Sequence, residues 1–334
     1  MRNNLDFRIA DCADRLGLEA RKTVQQNPWK GEFWKPCPGT TEGYLCCGYQ
    51  IISPIFGCGM YCAYCILQVY FDDHRQVVHG NFDDLEAELR SRLEKWKGVV
   101  RLGSGEFADS LYLEPEYGVS RKLAELLEVY PNALIEYKTK SRNAHYLKGI
   151  PRPDKVVLGF SLNSEKVIEQ FEYDTASLDE RLDMAKWAEE NGFWVAYHFD
   201  PMLYYPGWEV EYREVAKRAV GALRDPGRIA WWSMGGFRST PALKTYLRDK
   251  GVHLPLFSGE MVLGKDRKYR YVRPIRVEFY SAVREELDSI APGTTLYLCM
   301  ESPEIWRDSG MTSRIPQGLP SYLDRRAEQM LGLV

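Results

Sequence analysis

Six short runs rich in β-branched and aromatic residues recur along the chain, and helix-like segments fill most of the gaps between them. The runs are YQIISPIF (49–56), GVVRLGSGE (98–106), ALIEYKTKS (133–141), KVVLGFSLN (155–163), FWVAYHFDP (193–201) and RIAWWSMGGF (228–237). NFDDLEAELRSRLEKWKG (81–98) opens on acids and repeats apolar residues three and four apart, as an amphipathic helix requires. SRKLAELLEVYP (120–131) runs from a Ser cap to a Pro stop, and SLDERLDMAKWAEENG (177–192) starts on a capping box and ends at Gly. EYREVAKRAVGALRDPG (211–227) repeats the theme. Strands alternating with helices predict parallel β-α units, hence an α/β fold. Six units in a row fit a partial barrel or an open doubly wound sheet, and both gather functional groups at the C-terminal ends of the strands. Those ends carry Cys58, Glu106, Lys140 with Ser141, Ser161 with Asn163, and His198 with Asp200.

Residues 1–48 form an N-terminal extension, 49–250 hold the repeated units, and 251–334 form a C-terminal region. That last region predicts a hairpin within 256–276, a helix (276–290), the strand TTLYLCM (294–300) and a final helix (318–332). A net charge of −3 sets up no bulk field toward nucleic acid, so any such affinity must come from a local patch. No run of roughly 18 apolar residues appears. The N-terminus also lacks the apolar core of a signal peptide. The expectation is a cytoplasmic protein with no membrane partner. Thiols stay reduced there, so clustered cysteines read as metal ligands.

Eight cysteines are present, and Cys58, Cys62 and Cys65 fall within GCGMYCAYCILQ (57–68) as C-x3-C-x2-C. Three thiolates without a fourth at short spacing suit an iron–sulfur cube with one iron left open to an exogenous ligand. Gly57 and Gly59 tolerate the backbone angles needed to wrap it. Zinc is the alternative, with His74 or His79 nearby. Cys37, Cys46 and Cys47 in PCPGTTEGYLCCGYQ (36–50) read in three ways: hydrogen donors, ligands to a second metal, or small buried residues in a Gly-rich turn. Cys12 and Cys299 read as packing residues. KDRKYRYVRPIR (265–276) sets six basic residues against one acid and interleaves Tyr269 and Tyr271. Such a run suits phosphates and a distorted base step, or a charge-protected hairpin edge.

The triplet after the first strand, GSGE (103–106), and the ordered segments AYCILQ, YKTKS, FSLN, YHFDP, FSGEMVLGKDRKYRYVRP and YLCMESPEIW resemble the spore photoproduct lyase family. That family lies within the radical S-adenosylmethionine superfamily, and the resemblance runs over about residues 50–306. It implies a partial (β/α)6 barrel of the TIM type. It implies a [4Fe-4S] cluster on Cys58, Cys62 and Cys65, whose open iron chelates S-adenosylmethionine. A small electron-donor protein would supply the electron that yields a 5′-deoxyadenosyl radical, and the radical would take hydrogen from a pyrimidine photolesion in DNA. Glu106 would accept from the methionyl ammonium, Lys140 would pair with the carboxylate, Ser161 and Asn163 would bond ribose or carboxylate, and Tyr64 would pack beside adenine. Lys265, Arg267, Lys268, Arg270 and Arg273 would meet phosphates, with Tyr269 and Tyr271 at the base step.

Two departures stand out. RLGSGEFADSLY (101–112) has no cysteine where the family keeps its hydrogen-returning one, and Gly105 lies near that place. Ile66 replaces the family's tyrosine after the third cluster cysteine. The implied radical-generating half is complete and the usual quenching half is missing. Either Cys46 or Cys47, with Cys37 beside them, returns the hydrogen, or the substrate differs.

Overall fold

The computed structural model describes residues 7–39, 41–71 and 75–334; His74, weighed above as a zinc ligand, lies outside them. Eight strands make the main sheet: β1 (Trp34–Pro36), β2 (Gln50–Ile52), β3 (Val100–Ser104), β4 (Ala133–Thr139), β5 (Val156–Ser161), β6 (Trp194–Met202), β7 (Ile229–Gly236) and β8 (Leu296–Leu298). Their order across the sheet is their order along the chain. β1 runs antiparallel to β2, and every later pair is parallel. A doubly wound sheet reverses its strand order at a switch point, and this one never does. The sheet curls into a half-barrel, and β1 and β8 are its two unpaired edges.

The half-barrel has one more parallel strand than the six runs predicted. Leu296, Tyr297 and Leu298 are buried and pair with Trp232, Ser233 and Met234, so the segment set apart with the C-terminal region completes the sheet. Its crossover is α5 (Arg273–Ile290), after α1 (Phe82–Leu93), α2 (Val119–Leu126), α3 (Leu178–Glu190) and α4 (Trp208–Gly221); α6 (Leu319–Met330) closes the chain. In α1 the buried residues Leu85, Leu89 and Leu93 recur every fourth position, which is the predicted apolar stripe. The capping box of α3 forms: Ser177 Oγ accepts from the Glu180 N–H, and the Glu180 carboxylate accepts from the Ser177 N–H at 2.8 Å.

Two features position the mouth. A hairpin of Met261–Leu263 and Tyr269–Tyr271 packs there, and its second strand also pairs with Arg238–Ser239, just past β7. A ribbon of residues 36–48 leaves the β1 edge and reaches the β8 edge. There the Leu45 N–H donates to the Glu301 carbonyl at 2.9 Å. The Tyr44 ring lies 4.4 Å from the Arg270 guanidinium, and the Tyr44 hydroxyl accepts from the Lys265 N–H.

Inside the sheet, Gly103 makes room for Tyr49. A Cβ at position 103 would lie 1.5 Å from the Tyr49 hydroxyl oxygen. Gly103→Ala should therefore force the buried Tyr49 ring aside, at a cost of about 1–3 kcal/mol. A urea midpoint unchanged from the wild type would contradict this.

Candidate active site at the mouth of the half-barrel

The loop after β2 carries the cysteine triplet. Gly57 has φ of +81°, and a Cβ there would sit 2.7 Å from the Arg75 carbonyl oxygen; a Cβ on Gly59 would sit 2.2 Å from the Tyr112 ring. Gly57 supplies the unusual backbone angle that the wrapping argument expected; Gly59 has none, and makes room for the Tyr112 ring instead. Cys58, Cys62 and Cys65 line one small cleft with Arg21, Met60 and Phe71. Burial pushes the Cys58 thiol up to about 12, with the nearby Asp109 carboxylate adding to it. Burial raises Cys62 and Cys65 as well. Backbone N–H groups of Met60 and Asp109 point at the Cys58 sulfur, and that of Leu67 points at Cys65. The three thiols are half-buried, and two of them have backbone N–H groups close by. They suit thiolates on a positive centre, which deprotonates its ligands as it binds. Among the described residues no three His, Cys, Asp or Glu side chains converge on a single ion. A cube spreads its thiolates over separate irons, so the donor set fits a cluster better than it fits zinc. His79 stands apart, against Trp29 and Phe56.

Lys140, just past β4, and Arg21 are cations close to this loop. The Lys140 ammonium lies 5.8 Å from the Tyr64 ring centre and electrostatically favours the thiolates of Cys62 and Cys65. Asp109 fixes it: one carboxylate oxygen accepts from the Lys140 N–H at 2.7 Å, the other from Thr139 Oγ at 2.8 Å and the Leu111 N–H. Tyr64 is buried, and its hydroxyl donates to Glu172. Glu172 pairs with Arg181, and both side chains are fully buried. Burial opposes ionisation of Glu172, yet the charges of Arg181 and Lys140 outweigh it and hold the carboxyl at about 2. Asn163 spans this group: its amide donates to Glu172, and its oxygen accepts from the Tyr212 hydroxyl at 2.7 Å. The Ser161 carbonyl accepts from Arg181.

Glu106 sits farther across the mouth, paired with Lys138 at 2.7 Å. Below them Glu136 accepts from Trp231 Nε1 and contacts His198 Nε2 at 2.7 Å. His198 and Asp200, both near the end of β6, take different partners: His198 meets Glu136, and Asp200 accepts from Arg238 through both carboxylate oxygens. The structure thus gathers Cys58, Cys62, Cys65, Tyr64, Lys140 and Asn163 on one side of the mouth and Glu106 on the other. Asp109, Glu172 and Arg181 were not singled out from sequence. Each is an ordinary charged residue in a loop or helix until the fold buries it.

The ribbon brings Cys37 beside Glu106 and Lys138, and Cys46 and Cys47 behind it. The basic run divides. Lys265, Arg267 and Arg273 are exposed, though Arg273 pairs with Asp308. Lys268 and Tyr269 are half-buried. Arg270 and Tyr271, expected at DNA, are buried and already partnered. Arg270 pairs with Asp266 at 2.6 Å and the Met300 carbonyl, and the Tyr271 hydroxyl accepts from the Tyr204 N–H. They hold the hairpin in place: Arg270 spends both terminal nitrogens on Asp266 and Met300, its Nε is buried without a partner among the described residues, and the Tyr271 hydroxyl is taken by Tyr204.

An open parallel β/α half-barrel with a three-cysteine loop beyond its first parallel strand is the architecture of the radical S-adenosylmethionine class. Within it the chain belongs to the spore photoproduct lyase family, whose model, described as "Spore photoproduct lyase", matches residues 48–229. The spore photoproduct lyase of Clostridium acetobutylicum is 25% identical over 173 residues, covering 51% of this chain and 52% of that one. That of a Geobacillus species is 26% identical over 225 residues, covering 60% and 64%. The chain thus spans about half to under two thirds of the length of these curated relatives. Among solved structures, a spore photoproduct lyase with bound AdoMet and dinucleoside spore photoproduct superposes with a TM-score of 0.75 at 20% identity, over 86% of this chain and 85% of that one. Streptococcus suis SuiB bound to S-adenosylmethionine gives 0.50 at 14% identity, over 80% and 55%. No helix among the described residues is long and apolar enough to cross a membrane.

Proposed function

We propose that this protein is a radical S-adenosylmethionine lyase acting on a pyrimidine photolesion in DNA. The carrying observation is the half-buried three-thiol loop with Lys140 beside it. Cys58, Cys62 and Cys65 would hold a [4Fe-4S] cluster, which when bound supplies the electron that cleaves S-adenosylmethionine to a 5′-deoxyadenosyl radical. Lys140 pairs with the methionyl carboxylate, and Asp109 keeps its backbone in register. Glu106 receives the ammonium, and the Ser161 hydroxyl bonds the ribose. Asn163 and Tyr64 are tied to Glu172 and form the wall behind the ligand. The half-barrel keeps water from the reacting carbon, as such chemistry requires.

The hairpin is the DNA-facing part. Its first strand exposes Val262 and Leu263, with Lys265 and Arg267 exposed just beyond. Apolar tips flanked by basic groups are the means by which proteins wedge apart a base step while holding the backbone. A spore photoproduct lyase structure holds the dinucleoside lesion itself, which supports a lesion as substrate. The setting is cytoplasmic, with a small reducing protein as electron source.

The test is anaerobic. Reconstituted, reduced protein is given S-adenosylmethionine, and 5′-deoxyadenosine is measured with and without UV-irradiated thymine-rich DNA. Product that rises with irradiated DNA is expected. Product indifferent to it would remove the lesion from the proposal, and no product from iron-loaded protein would remove the chemistry.

Lys140→Ala removes one charge-assisted bond. The KM for S-adenosylmethionine should rise about 10- to 100-fold. An unchanged KM in steady-state assays would show that Lys140 does not meet the carboxylate.

A further inference from the structure

Four cysteines outside the triplet lie where the ribbon meets the β8 edge, the Leu45 N–H bonding the Glu301 carbonyl there and a Cβ on Gly39 falling 2.9 Å from the Met300 sulfur. Cys37, Cys46 and Cys47 come from the ribbon, and Cys299 follows β8 on the opposite edge of the sheet. The Cys46 and Cys47 thiols are hydrogen-bonded, Cys47 lies within electrostatic reach of Cys37 and Cys299, and Cys37 lies within reach of Cys46 and Cys299. Cys299, read from sequence as packing, is thus one of a group.

The local turns carry the argument further. In Cys37-Pro38-Gly39 the Gly39 N–H points at the Cys37 sulfur, and in Cys46-Cys47-Gly48 the Gly48 N–H donates to the Cys46 sulfur at 3.4 Å. Each is a C-x-G turn that aims an amide two residues on at the sulfur. Arg238 lies 3.9 Å from the Cys299 sulfur. Arg101 donates to the Cys47 carbonyl. The triplet shows the same pattern of N–H groups aimed at sulfur. Burial pushes Cys37 up to about 11 and Cys299 up to about 12 and raises Cys47, so these thiols stay protonated until a positive centre binds; the N–H and guanidinium donors then have thiolates to meet. Hydrogen bonds to ligand sulfurs are also how proteins tune iron–sulfur centres.

We propose that Cys37, Cys46, Cys47 and Cys299 hold a second iron–sulfur cluster, distinct from that of the triplet. Four thiolates suit a polynuclear centre whose irons they bind separately. Four thiolates leave no iron open, so this centre binds no substrate. Its position makes it a staple. It joins the ribbon to residue 299, and cross-linking points so distant in sequence restricts the unfolded chain most. Cys46 and Cys47 then act as ligands and not as hydrogen donors, and the returning hydrogen comes from elsewhere.

The proposal goes beyond the lyase reading and can fail without it. Full-length protein, reconstituted anaerobically, is assayed for iron, sulfide and zinc. Wild type should hold about 6–8 irons per chain, above the ~4 of a single cube. The C58A/C62A/C65A variant should keep roughly the second set, with its visible absorbance and an EPR signal on reduction. Adding C37S, C46S, C47S and C299S should remove it. A wild-type content of about 4 irons, all lost with the triplet, overturns the proposal and leaves the lyase reading standing. Zinc that survives the triplet substitutions overturns it in favour of a single ion. An alkylated mass short by two hydrogens overturns it in favour of a disulfide. The wild-type count and the triplet variant decide the matter even if the sevenfold variant does not fold.

Discussion

Alanine at any one of Cys58, Cys62 or Cys65 is expected to bring S-adenosylmethionine cleavage below detection. The reason lies in how little the loop has to spare. Three thiolates hold three irons, and the fourth must stay open for the substrate, so no ligand is redundant. Loss of one exposes a second iron and unbalances a site whose burial already disfavours thiolates: Cys58 stands near 12 without a metal. Cys12→Ala is the control, since Cys12 is buried in the core and is not among the residues lining the triplet's cleft. The measurement is 5′-deoxyadenosine by chromatography, with EPR on the reduced protein as a readout of the triplet's own cluster. A single-cysteine variant that kept both the wild-type spectrum and turnover would show that the triplet is not the ligand set.

Glu172→Ala should destabilise the fold by about 3–5 kcal/mol, the range for stranding one member of a buried ion pair. Arg181 would be left charged and fully buried, keeping hydrogen bonds only to Ala176, Ser161 and Thr175. Tyr64 and Asn163 would each lose a partner as well. In a chain of this size the change should lower Tm by roughly 4–7 °C. Glu172→Ala combined with Arg181→Met should be milder than Glu172→Ala alone, because the stranded charge is gone. The pH dependence has a definite sign. A folded value near 2 lies below the ordinary 4.5, so the pair's stabilisation is complete above about pH 4.5 and is lost as pH falls toward 2. Wild-type thermal melts between these limits should show that loss, and Glu172→Ala should show less of it.

The sequence made some of this legible and hid the rest for physical reasons. The β-α alternation and the Ser177 capping box are local, and both appear as read. The triplet and the C-terminal positions of Glu106, Lys140 and Ser161 were equally plain, since strand ends are where such folds expose side chains. β8 was harder: three buried residues carry no period, and only pairing with β7 makes them part of the sheet. Arg270 and Tyr271 look like DNA contacts in a basic run. Asp266, four residues before Arg270, and Tyr204 claim them instead, and that is a tertiary fact. Glu172 and Arg181 lie nine residues apart across a turn, and nothing in either segment marks a buried pair. The joining of Cys299 to the ribbon cysteines spans more than 250 positions, beyond any local signal.

A closed barrel has its bore dictated by strand number and stagger. Here the circle is left incomplete, and a ribbon spans the interval between the first edge and the last. The aperture is therefore set by the length of a loop and not by hydrogen-bond geometry. Inserting or deleting a few residues between Gly39 and Leu45 would widen or narrow the entrance while every rung of the ladder stayed in place. The size of molecule admitted can then be changed without rebuilding the scaffold that carries the cysteine loop.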